Sequence, residues 1–212
     1  MTARFEHWFF DLDGTLIDSS EGILDCMRFA LAQLGRGIPP DETLRSWIGP
    51  PLRTSFGPYL GDAELTERAV ALYLQRMDES GWSAYRVYDG ILDALARLRD
   101  EGARLSVVTA KVETYARRIV EHAPFGPWFS EVVGATPDGA LSHKADLIRV
   151  AMQRGAARPE STVMVGDRHF DMDGARHHGL SSIGVLWGFG SADELREAGA
   201  MRLAESPARL FD

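Results

Sequence analysis

Trp8-Phe9-Phe10-Asp11-Leu12-Asp13-Gly14-Thr15-Leu16-Ile17-Asp18-Ser19 is an aromatic run that drives into two carboxylates one residue apart and then a glycine. Aromatic residues fill a pleated surface and Gly punctuates a turn, so the stretch predicts a buried strand that ends in a polar turn. In open α/β sheets ligands gather beyond the carboxyl ends of the strands, which is where Asp11 and Asp13 would stand if this is the first strand of such a sheet. The period of two puts both carboxylates on the same side. Two anions placed so closely repel unless a cation or a shared proton lies between them.

Working outward, 212 residues suffice for one sizeable core and a small inserted unit. The formal charge of −8, from 23 basic and 31 acidic residues, argues against a nucleic-acid partner, whose phosphates are met by clustered Lys and Arg. Cys26 is the single cysteine, so no internal disulfide forms, and its apolar helical neighbours predict a buried structural thiol. No apolar run reaches the roughly 18 residues of a membrane span. The N-terminus carries Arg4, Glu6 and His7 rather than a signal-peptide core. These features lead to the expectation of a cytoplasmic protein, monomer or homodimer, with no membrane partner.

Between Ser20 and Tyr85 the pattern is helical, over 21–34, 41–48 and 62–79, with Pro39-Pro40, Gly49-Pro50-Pro51 and Gly57-Pro58 expected to interrupt it. From Tyr88 strands and helices alternate: strands at 104–109, 131–134, 162–166 and 182–186, helices at 112–122, 144–153 and 171–178, and an edge strand near 201–204. Alternation of this kind implies right-handed crossovers and a parallel sheet. The expected fold is α/β, a Rossmann-like doubly wound parallel sheet over 1–15 and 86–212, with a small all-helical cap inserted at 16–85.

Four motifs recur where this pattern changes from strand to loop or opens a helix. They are Asp11-Leu12-Asp13-Gly14-Thr15, Ser106-Val107-Val108-Thr109-Ala110, Lys144 at a helix start, and Gly166-Asp167 followed by Asp171. In this order they resemble the haloacid-dehalogenase-like superfamily of phosphotransferases, over residues 6–188, and within it the phosphoglycolate phosphatase branch. The resemblance implies that Asp11 is a nucleophile passing through an aspartyl-phosphate and that Asp13 is the acid and then the base. It implies that Thr109 and Ala110 hold the phosphoryl group and that Lys144 offsets charge there. It also implies that Asp167 reaches a metal directly and that Asp171 acts through water or by orienting the others. Ala110 stands where many relatives have Asn, which leaves only its backbone N–H.

Four carboxylates, Asp11, Asp13, Asp167 and Asp171, with a phosphate added would need more positive charge than one lysine. A hard divalent cation, Mg2+, suits such an oxygen set. The six histidines lack paired ligand spacing. The expected activity is Mg2+-dependent hydrolysis of a small phosphorylated metabolite: a phosphoglycolate-like compound, a sugar phosphate or a nucleotide monoester. The alternatives are a phosphosugar mutase of the same fold or, in another class, a phospho-aspartate signalling or phosphate-binding module. Asp13 counts against a dehalogenase, and the lack of lysine between Leu16 and Ser83 against a phosphonate hydrolase.

In the expected cap, Trp47-Ile48-Gly49-Pro50-Pro51-Leu52-Arg53 is the candidate substrate-facing loop. Arg53 reads either as an anion-binding residue or as a solvated one. Thr109 likewise reads as a phosphate ligand or as the cap of the next helix. Lys111 reads as a solvated lysine, Arg168 as the partner of a nearby carboxylate, and Asp173 as an exposed first-turn residue.

Overall fold

The computed structural model describes residues 5–211; Arg4, read above as part of the charged N-terminus, lies outside them. β1 (His7–Phe10) runs into the acidic turn, and β2 (Ile17–Asp18) follows it. Then come α1 (Ser20–Gln33), α2 (Asp41–Ser46), α3 (Leu52–Leu60) and α4 (Ala63–Glu79), and β3 (Arg86–Val87) returns the chain. The remainder alternates: α5 (Ile91–Asp100), β4 (Arg104–Val112), α6 (Glu113–His122), β5 (Phe129–Ala135), α7 (Lys144–Gly155), β6 (Thr162–Gly166), α8 (His169–His177) and β7 (Ser181–Val185). α9 (Ala192–Glu197) and β8 (Arg202–Ala204) close it.

Six strands form one parallel sheet in the order β5-β4-β1-β6-β7-β8. The chain steps from β1 outward through β4 to β5, then returns across β1 to β6 and continues the other way. That reversal opens a crevice at the carboxyl ends of the central strands. β1 is buried on both faces: Trp8 and Phe10 pack with Leu95 and Ile119, whereas Phe9 packs with Leu147 and Ile148 on the opposite side. A strand covered on both faces has no solvent side, which is why it reads as an unbroken aromatic run.

α1 to α4 pack around a separate apolar cluster that includes Met27, Leu31, Phe56 and Tyr73. The chain leaves and re-enters the sheet unit through the β2–β3 ladder, where Ile17 faces Val87 and Asp18 faces Arg86. Leu16 and Ile17, assigned by sequence to the insertion, are fully buried in the sheet-side core.

Two local expectations need correction. Gly57-Pro58 does not interrupt the chain, because α3 runs through both residues. Pro58 is the seventh of nine helical residues, so it forfeits one i→i−4 bond near the end while Phe56 anchors the helix in the cluster. The strand expected to stop at Thr109 extends to Val112, since β5 continues beside it and pairs Ala135 with Val112. Among the described residues, no helix is long and apolar enough to cross a membrane.

Candidate active site

The ends of β4, β1 and β6 bring the sequence motifs to one edge. Asp11 follows β1 and is fixed there by its N–H, which donates to the Val165 carbonyl at 2.9 Å. Lys144, the first residue of α7, is 7% exposed and reaches inward. Its ammonium lies 2.8 Å from Asp11 Oδ1, 2.9 Å from the Val108 carbonyl and 2.7 Å from Asp171 Oδ1. Burial pushes the Lys144 ammonium towards the neutral form, but the carboxylates of Asp11 and Asp171 outweigh it and hold its pKa above the ordinary lysine range. A cation at a helix N-terminus opposes the helix dipole, and these two anions offset that.

Asp167 follows β6 and is fully buried. The Thr15 hydroxyl donates to its Oδ1 at 3.0 Å and the Phe189 N–H to its Oδ2 at 2.8 Å. Burial, and then the charges of Asp11 and Asp171, push the Asp167 carboxyl well above the usual carboxylate range, while those two hydrogen bonds pull the other way. Glycine is required around it: a Cβ on Gly14, whose φ is +88°, would lie 2.3 Å from Asp167 Oδ2, and one on Gly188 would lie 2.4 Å from Asp167 Cβ. The Trp187 indole N–H donates to the Thr15 carbonyl at 3.0 Å. The loop Trp187-Gly188-Phe189-Gly190 thus cradles Asp167, and the sequence reading missed it. Its only sequence signal was a pair of glycines around an aromatic residue just after the last clear strand.

Asp171, in the first turn of α8, accepts from the Arg168 backbone N–H at 3.1 Å. One carboxylate oxygen each from Asp11, Asp167 and Asp171 lies within 4.8 Å of the others, and all three residues are buried. Three hard oxygen donors crowded out of water, with one ammonium beside them, fit a hard divalent cation.

Asp13, the fourth carboxylate of the expected set, points elsewhere. It accepts from the Ser19 hydroxyl at 2.5 Å, and the Lys111 ammonium lies 3.1 and 3.2 Å from its two oxygens. Lys111 is therefore not solvated: only 6% of its side chain is exposed. The extra length of β4 keeps Lys111 within the strand and under the helices, where a residue past the strand end would have reached water.

Between this edge and α1–α4 lies a cavity of about 60 Å³. Its floor includes Asp11, Asp13, Thr109, Ala110 and Lys111, and its ceiling includes Met27, Trp47, Tyr73 and Met77. Thr109 is buried and its hydroxyl accepts from the Lys111 N–H at 3.2 Å; it does not cap α6, which opens after Val112. Trp47 to Pro50 reach the cavity. Arg53 is absent from its lining: the guanidinium is bound to both carboxylate oxygens of Glu67, at 2.6 and 2.7 Å, and lies 3.4 Å from the Pro137 carbonyl. Arg168 pairs with Glu194 at 2.9 Å and donates to the Ile48 carbonyl. Asp173 is half-exposed and is shared between His169 and Arg176.

The fold and this edge define a haloacid dehalogenase-like hydrolase. The pattern describing that family matches residues 8–185, and the chain belongs to it. Among its relatives, a 5′-nucleotidase of Pseudomonas aeruginosa is 41% identical over 194 residues, covering 91% of this chain and 88% of that one. The tyrosine-protein kinase PtkA of Mycobacterium tuberculosis is 40% identical over 184 residues, covering 87% of this chain; the match spans 63% of PtkA's length. A crystal structure described as a predicted phosphatase from Clostridium acetobutylicum superposes with a TM-score of 0.94 at 38% identity, covering 98% of this chain and 96% of that one.

Proposed function

We propose that this hydrolase cleaves small phosphate monoesters through a phosphorylated Asp11, with Mg2+ held by Asp11, Asp167 and Asp171. The observation that carries the reading is the position of Asp11, at once on the cavity floor, 2.8 Å from the Lys144 ammonium and within the three-carboxylate group. An Asp11 oxygen attacks phosphorus while the ester P–O bond breaks, and Asp13 gives its proton to the leaving oxygen. Asp13 then takes a proton from water as that water attacks phosphorus; the Asp11–phosphorus bond breaks and inorganic phosphate leaves. Lys144 offsets charge on Asp11, and the Thr109 hydroxyl and the Ala110 N–H bind phosphoryl oxygens. When bound, the cation supplies positive charge against the phosphate oxygens. The helical unit acts as a cap that keeps bulk water out.

The kinship with PtkA supports a second reading, in which the phosphoryl group passes from Asp11 to a protein tyrosine hydroxyl rather than to water. One experiment separates the two: phosphate release from 4-nitrophenyl phosphate with Mg2+ and with a chelator. Continuous release that stops on chelation is expected, whereas a single stoichiometric phosphorylation without release sinks the hydrolytic reading. Asp11→Asn is nearly isosteric and should reduce turnover by at least about 10³-fold while the protein stays folded; substantial remaining activity rules Asp11 out as the nucleophile.

A further inference from the structure

The cavity is strongly asymmetric in chemistry. Its floor carries the acidic and phosphate-binding groups, while its ceiling from the helical unit is built of Ile23, Met27, Trp47, Leu74 and Met77, together with Tyr73. Lys111 is the one cation in the lining, and it is committed to both oxygens of Asp13. Among the described residues no arginine lines the space, and three of those in the helical unit are paired elsewhere: Arg28 with Asp41, Arg53 with Glu67 and Arg76 with Asp25. An anionic group entering beneath this ceiling would lose its water and meet no free counter-charge, which is strongly unfavourable. A polyhydroxylated group would press many hydroxyls against side chains that offer almost nothing to bond. An aromatic or aliphatic body would instead meet rings and thioethers.

The ceiling offers two polar side-chain groups, the Tyr73 hydroxyl and the Trp47 indole N–H, and of these only the hydroxyl can accept as well as donate. Tyr73 is 6% exposed and makes no hydrogen bond among the described residues, although it lines the same space as Asp13. Tyr115, at the cavity wall, is not available in the same way, because its hydroxyl already donates to the Leu74 carbonyl at 2.9 Å. The hydroxyl opens onto the cavity rather than into the packed core, so it is placed to bond a ligand there.

We propose that this space receives the leaving group of the substrate and selects one that is uncharged and largely apolar, an aromatic ring above all, with the Tyr73 hydroxyl as a hydrogen-bond partner. The proposal rests on the phosphatase reading and narrows it away from anionic and sugar-like monoesters.

The test compares kcat/KM for benzyl phosphate, 2-phosphoglycolate and glucose 6-phosphate, which all release primary alcohols and differ in what the alcohol carries. Benzyl phosphate should be favoured by at least about tenfold over each of the others. Leu74→Lys, at a half-buried ceiling position on α4, should then shift the ratio of 2-phosphoglycolate to benzyl phosphate upward by about tenfold or more. If that variant fails to fold, the comparison in the unaltered protein still decides. Parity, the reverse order, or turnover of 4-nitrophenyl phosphate without benzyl phosphate overturns this inference and leaves the phosphatase reading standing. Absence of phosphate release from all four esters overturns the phosphatase reading itself.

Discussion

Lys144 shows how a residue's environment overrules its type. Lysine is among the side chains least often buried, yet this one spans Asp11 and Asp171 with its ammonium 2.8 and 2.7 Å from their oxygens. Removing it leaves buried carboxylates uncompensated, so Lys144→Met should cost about 3–5 kcal/mol of unfolding free energy, read from urea denaturation in chelator. A loss below about 1 kcal/mol, the range of an exposed pair, would mean that Lys144 is not the counter-charge of the cluster. Lys111 and Asp13 form a second such pair 98 positions apart, which nothing in their local sequence joins.

At the scale of elements, α6 is locked to β5 through Glu113. Its carboxylate accepts from the Gly134 N–H at 3.0 Å and from Arg117 at 2.9 Å. The two backbones approach so closely that a Cβ on Gly134 would lie 2.6 Å from the Glu113 Cα. Burial pushes the Glu113 carboxyl up, but the Gly134 N–H and Arg117 more than offset it, so its pKa falls below the ordinary 4.5. A lowered pKa means that the folded state favours the carboxylate. Its contribution is therefore present above pH 4.5 and is lost as pH falls through the lower folded value. Glu113→Gln should lower stability at pH 7 by about 1–2 kcal/mol and make the fall towards pH 3 shallower, as measured by urea midpoints across that range. Parallel curves for the two proteins would refute the link.

Over the whole molecule, the helical unit is tied to the sheet unit through main-chain carbonyls. Arg168 donates to Ile48, Tyr115 to Leu74 at 2.9 Å, and Arg53 lies 3.4 Å from the Pro137 carbonyl. The cavity between the two units is small, about 60 Å³, so parting these ties would enlarge the space open to a substrate. Arg168→Ala should speed amide exchange across residues 47–53 and leave β1 unchanged; equal rates in both proteins would show that Arg168 does not hold the cap. Mg2+ binding to the folded chain alone should raise stability by about 2.7 kcal/mol at a hundredfold excess over Kd, seen as a higher Tm than in chelator. An unchanged Tm would count against the carboxylate group as a cation site.

Much of this was legible without coordinates. An apolar run that gives way to Asp, to Thr or to Gly-Asp is a local event, so most strands of the sheet and their alternation with helices could be read from the chain, whereas the end of β4 at Val112 and the short β2–β3 ladder escaped it. Partnerships between distant side chains could not. That Asp13 meets Lys111 follows from how far β4 pairs with β5, and that Glu67 holds Arg53 follows from how α3 packs on α4. The Gly188 loop closes on Asp167 only once β6 and β7 lie side by side. The sequence by itself determined which chemical groups reach the edge of the sheet, because the change from apolar to polar residues is local. Only the tertiary structure decided which anion each cation neutralises and what roofs the cavity, because register and packing depend on residues far apart in the chain.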